Sequence, residues 1–250
     1  MNKMNKLKDF NLVYQFNKKI VNYIQYKTYF QALQYNKLIT LIKKYSKENQ
    51  EVLDWGGGAG HLSAMLSLLK RKATLFSIVN KDDTWDILRK YFDIKFIYDP
   101  QGIRKICVDD KCFSTIISCG VLEHVRETGG DESDSLKDLA EHLEFDGHII
   151  IYHLPLRYSY IEWISRNFRN CYSHPFRYNY SDINNIVKKI TNLEVIDYGR
   201  YQILPRRIFG KIPLPPYVAI ALDHLDSVIC KTPLSYFAQC QYVVIKKTFK

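Results

Sequence analysis

Apolar and polar residues recur along this chain with two different periods. Over residues 1–48 the apolar positions Phe10, Val13, Tyr14, Ile20, Val21 and Ile24, then Leu33, Leu38, Leu41, Ile42 and Tyr45, return at three- and four-residue steps. That is the spacing of amphipathic helices. Short apolar runs take over from residue 49. They predict strands at 52–55, 74–79, 95–98, 115–119 and 148–154, with helix-spaced segments between them at 61–70, 83–91 and 135–143. Strand and helix in this alternation build βαβ units, hence a parallel sheet. Ser181-Asp182 caps a further helix running to about residue 190, and strands follow at 193–198 and 241–247. The expected architecture is a doubly wound α/β sheet of seven mostly parallel strands, residues 49–250, preceded by a helical cap, residues 1–48. Asp146-Gly147 is expected to turn the chain into the fifth strand.

Two stretches exceed what such a topology needs. Residues 155–179 follow the fifth strand, and residues 202–238, with Pro205, Pro213, Pro215, Pro216 and Pro233, precede the last. Long connections inside a domain are usually functional. With the sixth and seventh strands antiparallel, both emerge at the carboxyl ends of the strands, where open α/β sheets bind ligands. They are read as substrate-binding insertions.

The densest local signal is Val52-Leu53-Asp54-Trp55-Gly56-Gly57-Gly58-Ala59-Gly60-His61-Leu62. A buried strand ends in an acid and four glycines, and a helix begins at once. Glycine permits positive φ and lets a ligand approach bare backbone. A triphosphate loop would need Lys-Ser/Thr where His61-Leu62 stands. A dinucleotide loop counted from Gly56 would need a third glycine at His61. The spacing Asp-x-Gly-x-Gly-x-Gly resembles instead the cofactor loop of class I S-adenosylmethionine (SAM)-dependent methyltransferases. Residues 113–125, which contain Cys119-Gly120-Val121-Leu122-Glu123-His124, resemble the fourth strand and turn of small-molecule members of that family. Residues 143–151 resemble its approach to the fifth strand.

The resemblance implies a Rossmann-like fold, SAM as cofactor and a site at Asp54, Gly56, Gly57, Gly58, Gly60 and Cys119. In the family an acid ending the second strand takes the ribose hydroxyls; this chain has Asn80, with Asp82 close behind. An amide can accept from one hydroxyl and donate to the other. Asp99 is the expected adenine-side acid, in competition with Asp109 and Asp110, and Ser114 stands where an acid often precedes the fourth strand. His153 and His124 are the histidines expected near strand ends and are read as base or substrate contact; packing is the competing role. Tyr158, Tyr160 and Trp163 suit stacking on a sugar or ring, or packing of the insertion.

Charge sharpens the acceptor. Lys and Arg exceed Asp and Glu by 36 to 26, a net +10, and seven of the 11 arginines (157, 166, 169, 177, 200, 206, 207) lie in or near the insertions. Arginine forks match phosphate and carboxylate, so Arg166 and Arg169 are read as contacts to an anionic acceptor, with a solvated basic face the equal alternative. Leu214-Pro215-Pro216-Tyr217 begins with the wrong residue and lies too far downstream for the DNA-methyltransferase motif, and no nucleic-acid module is recognisable. No His, Cys or carboxylate group has metal spacing along the sequence. The six cysteines lack a Cys-x-x-Cys pair, no apolar run is long enough to span a bilayer, and the start does not read as a signal peptide, so a cytoplasmic location is expected. Residues 217–229, apolar at 218, 220, 222, 225 and 229, offer a face for peripheral membrane contact that Asp223 and Asp226 argue against. The expected function is O-methylation of a small-molecule or sugar-type acceptor, such as a nucleotide-sugar, polysaccharide precursor or phosphorylated lipid carrier. Its rivals are a neutral phenol- or quinone-type acceptor and a SAM-binding protein without catalysis.

Overall fold

Side chains alternate between the two faces of each strand, and that alternation divides the core into two layers. The computed structural model describes residues 3–101, 112–168, 172–206 and 212–249, with side chains from residue 7. Strands β1 (Glu51–Trp55), β2 (Lys72–Ser77), β3 (Lys95–Tyr98), β4 (Phe113–Cys119), β5 (Leu143–Pro155), β6 (Leu193–Tyr201) and β7 (Cys240–Lys247) form one seven-stranded sheet, ordered β3-β2-β1-β4-β5-β7-β6. Every pairing is parallel except those of β7, which runs antiparallel to β5 and β6. The winding reverses between β1 and β4, so a crevice lies outside their carboxyl ends.

Helices α1 (Lys3–Phe16), α2 (Tyr29–Ala32), α3 (Gln34–Tyr45), α4 (His61–Leu68) and α5 (Asp82–Arg89) share one core with a single sheet face, through Val13, Phe30, Leu38, Met65, Leu88, Ile117, Ile150 and Val244. The opposite face carries Leu53, Ile116, Ile149 and Ile245 against α6 (Glu132–Glu141) and α8 (Tyr180–Lys188). The N-terminal helices are thus part of the main core. Tyr152 Oη donates to the Gln34 carbonyl at 2.6 Å, and Thr115 Oγ1 to that of Tyr45 at 3.3 Å.

Several boundaries differ from the periodicity for local reasons. β2 stops at Ser77 because its hydroxyl accepts the Val79 N–H at 3.1 Å and turns the chain. β5 begins at Leu143: Asp146-Gly147, expected as a turn, lies within the strand at a register shift, with Asp146 at φ +59. A second shift between Ile151 and Leu154 leaves His153 at φ +61, and such bulges re-aim side chains. The insertions contain α7 (Tyr160–Asn167) and α9 (Pro216–Ile229). Among the described residues no helix is long and apolar enough to cross a membrane. Asp223 and Asp226 of α9 turn inward to Arg206, leaving Tyr217, Leu225 and Val228 exposed.

Candidate functional site

The glycine loop hangs from the neighbouring strand: Gly56 and Gly57 N–H both donate to the Phe76 carbonyl, at 2.9 and 3.0 Å. Gly56, at φ +76, faces Val121 so closely that a Cβ would come within 2.5 Å of it. Gly58, at φ +49, faces open space; a Cβ there would meet only the Gly56 carbonyl, at 3.8 Å. Trp85 Nε1–H donates to the Gly58 carbonyl at 2.8 Å and pins the loop to α5. Asp54 is buried beneath it, accepting from Ser63 Oγ at 2.7 Å, and burial pushes its carboxyl up to about 7. It anchors the start of α4 and does not line the cavity beyond the loop.

That cavity, about 480 Å³, reaches from Cys119-Gly120 at the end of β4 to His61 and beneath Tyr23, Gln34 and Tyr35 of the N-terminal segment. A smaller apolar slot beside it is lined by Trp55, Gly56, Phe76, Ile78 and Val121, with His124 bordering both. Tyr23 stacks on His61 at 3.8 Å between ring centroids. Tyr35 gives its hydroxyl hydrogen to Gln25 at 2.6 Å, so His61 Nε2, 3.2 Å away, is the donor in their contact. The buried His61 Nδ1 is then an acceptor without a partner among the described residues. Bare loop backbone, an apolar slot and an orphaned acceptor fit a nucleoside carrying an amino-acid ammonium group.

Burial pushes His61 down to about 3. The unfolded chain takes up this proton near the ordinary value of about 6.5, whereas the fold refuses it, so stability falls as pH drops from 6.5 towards 3. Relative to His61→Gln, the wild type is expected to lose about 2 kcal/mol between pH 7.5 and pH 5. Urea unfolding at the two pH values measures this; an unchanged gap would show the ring to be protonated in the fold.

His153 is also held neutral, burial pushing it down to about 3. The Tyr201 hydroxyl accepts the His153 backbone N–H at 2.8 Å and lies 2.9 Å from Nδ1. When that hydroxyl donates to Nδ1, the ring proton sits on Nε2, an atom without a partner among the described residues. A general base works best with a pKa near the working pH, so a ring held this low is a weak base, and with the proton on Nε2 it can donate to a substrate instead.

Across the cavity stands a carboxylate–histidine group. His124 Nδ1 lies 2.8 Å from Glu127 Oε1. Glu162 on α7 takes His174 twice, through the backbone N–H at 2.8 Å and Nδ1 at 3.0 Å. Burial alone would lower His174, but the hydrogen bond and charge of Glu162 outweigh it and hold the ring above the ordinary histidine value. Glu123, only 2 % exposed, is pushed by burial up to about 8. Burial also pushes the Cys119 thiol far up, so at neutral pH it is a wall and no nucleophile.

Other expected residues lie elsewhere. Asn80 is engaged with Asp82, its amide donating to the carboxylate at 2.6 Å and its oxygen accepting the Asp82 N–H at 2.9 Å. Asp99 follows β3 and accepts the Gln101 N–H at 2.9 Å. Tyr158, Tyr160, Trp163 and Arg166 gather with Arg157, Arg177 and Phe237 around a separate cavity of about 450 Å³ that shares no lining residue with the first. The arginine cluster divides: Arg157 pairs with Asp182, Arg200 stacks on Tyr236, and Arg206 is buried between Asp223 and Asp226. Among the described residues neither Arg166 nor Arg177 has an ion-pair partner. Arg169, Arg207, Asp109 and Asp110 lie outside the described residues. Sequence reasoning missed Trp85, Tyr23, Tyr35, Tyr201, Glu162 and His174, and quoted Glu123 without a role.

A family model described as a methyltransferase domain matches residues 27–198. No curated protein matches the sequence. Among solved structures, the N-methyltransferase NodS from Bradyrhizobium japonicum WM9, in complex with S-adenosylhomocysteine, is similar at TM-score 0.58 and 11% identity, over 94% of this chain and 98% of that one. Magnesium protoporphyrin IX methyltransferase from Synechocystis PCC 6803, also with S-adenosylhomocysteine bound, aligns at 0.57 and 13%, over 98% and 95%. A SAM-dependent methyltransferase from Archaeoglobus fulgidus aligns at 0.52 and 13%, over 94% and 99%. At these identities the likeness speaks for the fold.

Proposed function

The chain belongs to the methyltransferase-domain family, its methyl donor is SAM, and we propose that its acceptor is a small molecule methylated on oxygen. One observation carries the reading: the cavity that starts at Cys119-Gly120 is roofed by the N-terminal helices and walled by His124, His153, His174 and Glu123. A space of this size takes a small molecule. A wall rich in imidazole and carboxylate suits an acceptor whose proton must leave, and hydroxyls need that help.

The loop Gly56–Gly60, the Cys119-Gly120 backbone and the apolar slot are the residues to hold SAM, with His61 Nδ1 as acceptor for its ammonium group and Asn80 or Asp82 for its ribose hydroxyls. SAM supplies a methyl group on sulfonium sulfur, already electrophilic, so orienting the acceptor in line contributes much of the acceleration. Tyr23 and Tyr35 exclude water from that side. His153 Nε2–H orients the acceptor, and the proton leaves on the side of Glu123, His124 and His174. His153→Gln, which keeps a donor in the cavity, is therefore expected to retain turnover within about tenfold. A loss of two to four orders of magnitude, the size of a lost general base, would restore His153 to that role.

The anionic-acceptor reading now rests on Arg166 and Arg177, which line the second cavity with Tyr158 and Trp163 and would hold a phosphate or carboxylate group of an acceptor long enough to extend into it. Incubating the full chain with isotope-labelled SAM and metabolites of the source cell, read by mass spectrometry, tests both parts. The expected product carries one labelled methyl on oxygen and a phosphate or carboxylate elsewhere. A product labelled on nitrogen overturns the first part, and an uncharged product overturns the second.

A further inference from the structure

We propose that Glu123, His124 and His174 form a binding site for a divalent first-row transition-metal ion in the wall of the acceptor cavity. One donor atom from each lies within 4.8 Å of the others. Ligand bonds of about 2.0–2.2 Å to a tetrahedral centre put donors roughly 3.4 Å apart, so modest side-chain rotation closes the set. Two ligands come from the 3₁₀ turn Leu122–Thr128 and the third from the connection between α7 and α8, a distribution invisible to sequence spacing.

Three further features point to an ion. Both rings have Nδ1 held by a carboxylate, His124 by Glu127 at 2.8 Å and His174 by Glu162 at 3.0 Å. This leaves Nε2 of each as the free donor, and such outer carboxylates orient a ligating imidazole and raise its basicity. Glu123 is buried, and its Oε2 has no hydrogen-bond partner among the described residues. A buried oxygen left this way is costly, and an ion would satisfy it. All three residues line the cavity, so three protein ligands would leave an open position facing the acceptor, as in catalytic sites. Two imidazoles and one carboxylate favour ions such as Zn²⁺, Fe²⁺ or Co²⁺ over Mg²⁺ and Ca²⁺.

The role of the ion rests on the methyl-transfer reading; its binding does not. With the acceptor hydroxyl at the open position, the ion lowers its pKa. The O–H bond breaks with its electron pair left on oxygen, and the proton goes to water. The oxygen's electron pair would then form the O–CH3 bond as the CH3–S bond of SAM breaks, that bond's pair returning to sulfur so that neutral S-adenosylhomocysteine leaves.

The test uses the full chain stripped of metal by chelator dialysis. Titration with Co²⁺ should give visible absorption bands of a four- or five-coordinate site saturating at one equivalent. Zn²⁺ should displace the Co²⁺, while Mg²⁺ and Ca²⁺ in excess should not. His174→Ala and Glu123→Gln should each weaken binding at least about a hundredfold, and Glu127→Gln by about 10–100-fold as an outer-shell loss. Circular dichroism checks that each variant folds. Wild type that shows no saturable Co²⁺ bands overturns the site, whatever the variants do, and so does a folded His174→Ala that binds as wild type does. SAM titration by calorimetry separates the two readings. SAM binding without ion binding removes the metal site and leaves methyl transfer standing, and ion binding without SAM binding does the reverse.

Discussion

Gly58→Arg is expected to weaken SAM binding by at least about a hundredfold, roughly 2.8 kcal/mol, with the fold retained. The position allows this separation. A Cβ on Gly58 would meet only one carbonyl oxygen, at 3.8 Å, so a side chain extends into the space above the loop without touching the core. The strain of φ +49 for a non-glycine residue adds about 1–2 kcal/mol. Gly58→Ala carries the same strain without the bulk and is expected to bind SAM within about tenfold of wild type. Gly56→Ala makes the opposite case, since its Cβ would fall within 2.7 Å of both Val121 methyl groups and must disturb the packing. Isothermal titration with SAM, alongside far-ultraviolet circular dichroism, decides the matter. If wild type and Gly58→Arg take up SAM equally, the loop is not the cradle.

The glycine loop was readable because every part of it is local. Strand, acid, turn and helix start lie within residues 52–62, and the hydrogen bonds that complete them fall where βαβ spacing puts the next strand. The same holds for β1, β3, β4 and β7, whose apolar runs are short and bounded. What periodicity missed was decided by side chains meeting backbone. The Ser77 hydroxyl ends β2 early, and the bulge at Asp146-Gly147 keeps β5 continuous through a dipeptide that elsewhere turns a hairpin. The helices α7 and α9 lie inside stretches read as long insertions, with an apolar face noted only at 217–229. Proline at the first position of a helix is no obstacle, and Pro216 starts α9.

The wall of the main cavity was legible only in fragments. Glu123 and His124 stood in the family-like segment, but His174 lay in an insertion with no periodic signal, and Glu162 gained its meaning only by clamping that ring. His153 shows the limit from the other side. Its strand-end position suggested a base or a substrate contact, yet burial pulls its pKa far below the ordinary histidine value, and that burial cannot be seen before the N-terminal helices close over β5. The arginine cluster likewise carried a composition signal whose members serve different ends. Arg157, Arg200 and Arg206 hold the fold, which leaves the anion reading to Arg166 and Arg177.

Arg206→Ala is expected to destabilise the fold by about 3–5 kcal/mol, the range for breaking a buried ion pair from one side. For a chain of this size that lowers the melting temperature by roughly 6–20 °C. Arg206 is 4 % exposed. It donates to the Phe30 carbonyl at 2.9 Å and to Asp223 at 2.5 Å, reaches Asp226 at 3.4 Å, and lies over the Phe30 ring. Asp226 in turn accepts the backbone N–H groups of Gln202, Ile203 and Leu204 at 3.2, 2.7 and 2.6 Å. One guanidinium therefore ties α2, α9 and the exit from β6 together at the rim of the main cavity. Without it, the buried Asp226 carboxylate faces the half-buried Asp223 carboxylate with no cation between them, and that repulsion, more than the lost hydrogen bonds, drives the effect. Removing one acid as well separates the two contributions. Arg206→Ala with Asp223→Asn should recover part of the loss in urea melts, because Asp226 keeps its three backbone donors. Strict additivity of the two changes would instead mean that the pair is not coupled and that Arg206 acts through packing on Phe30 alone.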